Sequence, residues 1–254
     1  MQLHVQTHSP TAAGQYSSLV FIHGLFGSLS NLGMLARAFE EKYHVVQIDL
    51  RNHGKSKHVE SMDYLEMAQD VLDTLDHLKV DKFSVIGHSM GAKVAMKMTE
   101  IAENRLEQLV VLDMAPVAYQ QNHHDQIFKA LFAVNEADVS SRKEATEIMN
   151  YYISEAGVIM FLLKSWSQGQ WLFNVNTLSN SYPEILSWKD VPVWQQQTLF
   201  IRGGNSEYIS KPEHFSAIEQ QFSQHQLITI EDAGHWLHAE KTDKVVSVIQ
   251  NFLN

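Results

Sequence analysis

The sequence predicts an α/β protein: a mostly parallel central sheet flanked by helices, with a helical segment inserted late in the chain. Short apolar, often β-branched runs recur along the chain, and amphipathic stretches of helical period separate most of them. The stretch 118–190 breaks that rhythm. It shows helical patterning and many aromatic residues, among them Phe128, Trp166, Trp171, Phe173 and Trp188, but no clear strand.

The runs Leu19–Ile22, Val45–Ile48, Phe83–Ile86, Leu109–Leu112, Leu199–Ile201 and Leu227–Ile230 read as strands. Several are continuously apolar, as befits parallel strands buried on both faces. Leu32, Leu35, Ala36 and Phe39 give a short helical face between the first two. Tyr64, Met67, Ala68, Val71, Leu72, Leu75 and Leu78 give a longer one, opened by Asp63 with Glu66 three residues on, a capping box. A helix is expected from Gly91 to about Ala102. Another should follow the pair Ser210 and Glu213, and a last one should carry Val245, Val248, Ile249 and Phe252. Residues 1–117 and 191–254 are thus expected to form the sheet-and-helix core, with 118–190 as a helical cap.

The chain has 254 residues, 44% of them apolar, enough for a large core. Its net charge of -10, without any basic run, argues against a nucleic-acid partner. With no cysteine there is no disulfide, thiolate nucleophile or cysteine metal site. Met1 to Pro10 lacks the apolar core of a signal peptide, and Leu19–Ile22 is too short to span a bilayer. A cytoplasmic protein is expected. Composition is silent on oligomeric state.

The sharpest local signal is Gly87-His88-Ser89-Met90-Gly91. By chance a G-x-S-x-G pattern arises about 0.1 times in a chain this long; here it also lies between an expected strand and an expected helix, the context that gives it meaning. A serine on such a tight turn projects its hydroxyl above the sheet edge. The next N–H, at Met90, opens a helix and is free to face a forming oxyanion. The bland alternative is a serine that caps a helix after a glycine-rich turn. A serine hydroxyl needs a base to become a nucleophile. His235 follows the last strand on the loop Asp232-Ala233-Gly234 and precedes the last helix, so it lies where parallel sheets hold their sites. His235 and His238 have no third ligand at suitable spacing, so no metal is expected. His88 is expected to shape the elbow, and His123 and His124 to lie on the surface. Asp49 and Arg51 are expected to tie neighbouring loops.

Together with His23–Gly33, Arg51–Ser56, Asp113–Tyr119, Gly203–Tyr208 and Gly234–Thr242, these segments resemble the α/β-hydrolase superfamily, and within it the YbfF-type serine esterases. The resemblance covers nearly the whole chain. It implies the α/β-hydrolase fold and the chain order serine before histidine. The activity it implies is cofactor-free cleavage of short acyl esters or acyl-CoA thioesters, with a small-molecule ester or acyl-CoA as the substrate. It also makes His23-Gly24-Leu25-Phe26-Gly27 the oxyanion loop, with the donor at Leu25, or at Phe26 if the register slips by one. Phe26, His88, Trp166, Trp171 and Phe173 are candidates for the substrate pocket, although the three insertion residues would serve equally well to pack the cap onto the core.

One departure concerns the acid that orients the histidine. Superfamily members usually carry it after the strand that precedes the histidine strand. Here that loop reads Gly203-Gly-Asn-Ser-Glu-Tyr208, with Ser206 at the expected position. Asp113, at the end of Leu109–Leu112, is the expected acid; Glu207 is the alternative, and Asp232 shares the histidine's own loop. Other uses of the same three groups (a C–C hydrolase, lyase or perhydrolase) and a non-catalytic ligand receptor are the competing functions.

Overall fold

The computed structural model describes residues 1–11, 16–120 and 124–254, so His123 lies outside the described residues. One seven-stranded sheet runs in the order β1-β3-β2-β4-β5-β8-β9. Its parallel members are β2 (Ser18–Ile22), β3 (His44–Ile48), β4 (Phe83–His88), β5 (Leu106–Leu112), β8 (Thr198–Gly203) and β9 (His225–Ile230). The exception is β1 (Val5–His8), which pairs antiparallel with β3 at the edge. Sequence pattern missed β1 because Val5 is its sole apolar residue and the strand is largely exposed.

Alternation along each strand builds two cores. Val20, Ile22, Val85, Leu109 and Val111 join one apolar cluster, with α2 (Tyr64–His77) and α3 (Met90–Met98). Leu19, Phe21, Ile86, Val110 and Leu112 join the other, with α1 (Gly33–Arg37) and α11 (Thr242–Leu253). A strand buried on both sides must be apolar at every position, which is why these runs do not alternate in sequence. The box at Asp63 forms: its carboxylate accepts the Glu66 N–H at 2.7 Å, and Glu66 accepts the Asp63 N–H at 3.3 Å.

The box at Ser210 does not form. Pro212 starts α9 (Pro212–Gln221), Ser210 Oγ donates to the Glu207 carbonyl, and the His214 ring takes the Ser210 N–H instead. Proline suits a first helical position because its missing N–H would have no partner there. Helix α3 also ends earlier than the pattern implied, at Met98.

Between β5 and β8 the chain runs through α4 (Asp125–Glu136), α5 (Arg142–Met149), α6 (Ala156–Leu163), α7 (Val175–Asn180) and α8 (Tyr182–Leu186). A two-residue hairpin, β6 (Trp166–Ser167) with β7 (Gln170–Trp171), interrupts them, so this segment is not wholly strandless. Near the start of α11 lies the short α10 (Leu237–Glu240). Among the described residues, no helix is long and apolar enough to cross a membrane.

Candidate active site

Because β2, β4, β5, β8 and β9 are parallel, the residues that follow them meet at one sheet edge. Ser89 sits between β4 and α3 with φ 55° and ψ -119°, a backbone region that costs a side-chain-bearing residue on the order of 1–3 kcal/mol. The turn closes only because Gly91 lies against β2: a Cβ there would come within 2.3 Å of the Ile22 carbonyl oxygen. The strained turn lifts the serine hydroxyl clear of the sheet.

His235 Nε2 lies 2.9 Å from Ser89 Oγ, and His235 Nδ1 lies 2.7 Å from Asp113 Oδ2. Asp113 is fully buried, at φ 53°. Its N–H donates to the Ile201 carbonyl, its Oδ1 accepts the Gly203 N–H at 2.9 Å, and the Ser206 hydroxyl donates to Oδ2. The end of β8 and the loop after it therefore both serve the carboxylate that follows β5. Gly203 also lets the histidine loop approach, since a Cβ there would meet the Gly234 carbonyl at 2.3 Å. Glu207 and Asp232 are exposed. The structure thus brings together Ser89, His235 and Asp113 and leaves the other two candidate acids in solvent.

The Leu25 and Phe26 amides, alternatives by sequence, part company here. Phe26, at φ 62°, donates its N–H to His53 Nε2 at 3.2 Å, and its carbonyl accepts the Ser165 hydroxyl at 2.9 Å. Among the described residues no acceptor takes the Leu25 N–H. The Met90 N–H is at the first position of α3, before any intrahelical acceptor. Two rings lock the loop in place. His53 Nδ1 donates to the Arg51 carbonyl; His23 Nε2 accepts the Leu50 N–H while its Nδ1 donates to Gly24. Burial pushes the His53 pKa down to about 3, so its Nε2 stays a lone-pair acceptor. Asp49 and Arg51 act as ties: Asp49 accepts the Leu29 and Lys55 N–H groups, and Arg51 pairs with Asp70 at 2.6 Å and Glu66 at 2.8 Å.

His88 Nε2 donates to the His235 carbonyl at 2.9 Å, and its ring meets the His238 ring edge-on. Burial, then the neighbouring His238 and His235, hold His88 well below the ordinary histidine pKa. Sequence reasoning missed Tyr208, whose ring stacks on His235 at 4.0 Å, and it put His124 on the surface. His124 is half-buried, meets the Tyr182 hydroxyl and lines the cavity. Neither contact leaves a local signal, because the partners are far apart in sequence.

Ser89 and His235 open onto a cavity of about 580 Å³, a size that suits a small-molecule ligand. Leu25, Phe26, His88 and Met90 line it from the core, and Ile127, Val158, Phe161, Tyr182 and Ile185 from the insertion. Trp166, Trp171 and Phe173 do not line it, contrary to one expectation. Trp171 stacks on Phe173 with rings 5.2 Å apart, Trp166 meets Trp171, and Phe173 packs behind Phe26. The tight hairpin turns both tryptophans inward onto this stack.

A family model described as the alpha/beta hydrolase fold matches residues 18–242. The chain belongs to that family. It is 45% identical to Esterase YbfF of Escherichia coli (strain K12) over 254 residues, the whole of both chains. It is 34% identical to the sn-1-specific diacylglycerol lipase ABHD11 of Mus musculus over 248 residues, covering 93% of this chain and 80% of the lipase. A solved structure described as a marine microorganism esterase superposes with a TM-score of 0.91 at 30% identity, covering 99% of each chain. Family and relatives make this chain a hydrolase.

Proposed function

We propose that the chain is a serine esterase that cleaves carboxylic esters of apolar acyl groups, and acyl-CoA thioesters by the same route, through an acyl-enzyme on Ser89. The observation that carries this reading is the continuous hydrogen-bond path from Ser89 Oγ through His235 to the buried Asp113. In this mechanism Ser89 Oγ attacks the carbonyl carbon while His235 Nε2 accepts its proton. Asp113 holds the ring with Nδ1 protonated and offsets the positive charge that develops. The Leu25 and Met90 N–H groups receive the oxyanion, a contribution of about 10²–10³ in rate for one such donor. Collapse of the intermediate expels the alcohol or thiol, protonated by His235. Water, deprotonated by the same ring, then releases the acid and restores Ser89. No step needs a metal or an organic cofactor.

The insertion 118–190 acts as the cap, and its apolar lining favours a hydrocarbon acyl chain. The names of the relatives, esterase and diacylglycerol lipase, support esters as the main substrates. A fluorophosphonate probe should label Ser89 and no other residue, and a panel of acyl esters and acyl-CoAs of graded length should be turned over. A folded protein that takes no label and cleaves no member of the panel overturns the reading.

A further inference from the structure

Lys93 stands one helical turn beyond Ser89 on α3 and is 1% exposed. A buried ammonium ordinarily requires a carboxylate partner. Among the described residues Lys93 has none. Its Nζ donates instead to two main-chain carbonyls at the end of α8, Ser187 at 3.0 Å and Leu186 at 3.3 Å. Aromatic faces surround the remaining sides: Tyr119 at 5.0 Å, Tyr64 at 5.4 Å and Trp188 at 5.8 Å from Nζ to ring centre. The Tyr64 hydroxyl donates to the next carbonyl back, Ile185, at 2.6 Å. Carbonyls at a helix end have no intrahelical donor; the Tyr119 N–H takes the Leu186 carbonyl at 2.9 Å, the phenol takes Ile185, and the Lys93 ammonium takes Ser187 and shares Leu186.

The tie joins the two parts of the cavity. Lys93 belongs to the helix that Ser89 opens and itself reaches the cavity lining, to which α8 contributes Tyr182, Ile185 and Leu186. We propose that Lys93 is a positioning residue for substrate selection: its ammonium straps the end of α8 to α3 and so fixes how far that wall stands from Ser89. The proposal rests on reading the cavity as the acyl pocket. Replacing the strap should alter which acyl lengths fit and leave the reacting groups in place.

The strap is also poised to respond to pH. Burial lowers the Lys93 pKa to about 7. The titratable groups that face it are Tyr64 from α2 and Tyr119 from the loop after β5, both raised by burial and therefore neutral throughout the range of interest. Below pH 7 the ammonium cross-links both carbonyls; above it the amine carries no charge and holds them more weakly.

The test compares kcat/KM for a long and a short acyl ester from pH 6 to 8.5. Their ratio cancels any pH dependence of the chemical step, which both substrates share. In the wild-type enzyme the ratio should change with a midpoint near 7. Lys93→Met should shift the pH 6 ratio by about fivefold or more, through KM of the long ester, and abolish its pH dependence. Lys93→Arg should keep the low-pH ratio at every pH. A folded Lys93→Met protein with the wild-type ratio and profile overturns the proposal. Should that variant not fold, amide hydrogen exchange of residues 184–189 in the wild-type protein decides. After correction for intrinsic rates, protection should fall between pH 6 and 8.5, and unchanged protection overturns the strap. If the Ser89 reading fails, no ester is turned over at all, and the exchange experiment still answers for Lys93.

Discussion

The sheet edge and the helical insertion hold their residues by different physics. At the edge, position is set by backbone: Ser89 and Asp113 both sit at positive φ, and the Asp113 carboxylate is fixed by the Gly203 N–H and the Ser206 hydroxyl. In the insertion, position is set by packing, with rings such as Phe26, Phe128 and Tyr182 touching edge to face across core and insertion. Hydrogen-bonded backbone fixes atoms closely and tolerates little change. Apolar packing fixes a volume and tolerates substitution at a graded cost. Edge substitutions should therefore cost rate, and insertion substitutions should cost stability or selectivity.

The largest effect expected is at Ser89. Ser89→Ala should lower kcat by on the order of 10⁴–10⁶ with Tm little changed, because alanine keeps the Cβ and the same strained backbone. An esterase assay beside a thermal melt checks both halves. Retention of more than about a tenth of wild-type activity would remove the edge from the chemistry. Next comes Asp113→Asn, which should cost on the order of 10⁴ in kcat, against less than about tenfold for Glu207→Gln. The opposite ranking, with both proteins folded, would move the acid to the β8 loop.

The insertion supplies the contrasting case. Phe173→Ala should cost about 3–5 kcal/mol of stability, the usual penalty for emptying a buried aromatic site, while acyl-length preference per folded enzyme holds. Urea melts and the acyl-ester panel measure the two quantities independently. A changed preference with little loss of stability would show that the stack shapes the cavity after all.

The smallest effect concerns pH. Burial lowers His53 and His238 to about 3, and His88 also lies well below its ordinary value. Each is neutral in the fold but gains a proton on unfolding below about pH 6.5. The unfolded state then binds more protons, so stability is fully present above that pH and falls as pH drops toward 3. Each ring contributes about 1.4 kcal/mol per pH unit within that window. His238 Nδ1 is buried without a hydrogen-bond partner, so His238→Leu removes an unsatisfied polar group. The variant should flatten the acid limb of ΔG against pH by about one proton's worth. An unaltered slope would mean that His238 is already charged in the fold.

Sequence alone determined the layered fold and the places where chemistry is concentrated. Continuous apolar runs specify strands buried twice, helical periodicity specifies what covers them, and Gly91 beside Ser89 specifies a turn that no larger residue could make. These are local signals, fixed by neighbours a few residues apart. Sequence was blind to β1, whose exposed edge needs no apolar pattern, and it misread Ser210, where Pro212 opened the helix instead.

Only the tertiary structure shows that Asp113 and not Glu207 contacts His235, because that depends on which side chain reaches the ring across β8 and β5. The same holds for the Leu25 and Phe26 amides, of which the Phe26 N–H is taken by His53 Nε2. It holds for the insertion, where aromatic residues of similar composition divide into Tyr182 and Phe161 facing the cavity and Trp166, Trp171 and Phe173 turned away from it. Hydrophobicity tells a side chain to leave water but not which apolar surface to meet. That choice is made by contacts between residues distant in sequence, and it exists only once the chain has folded.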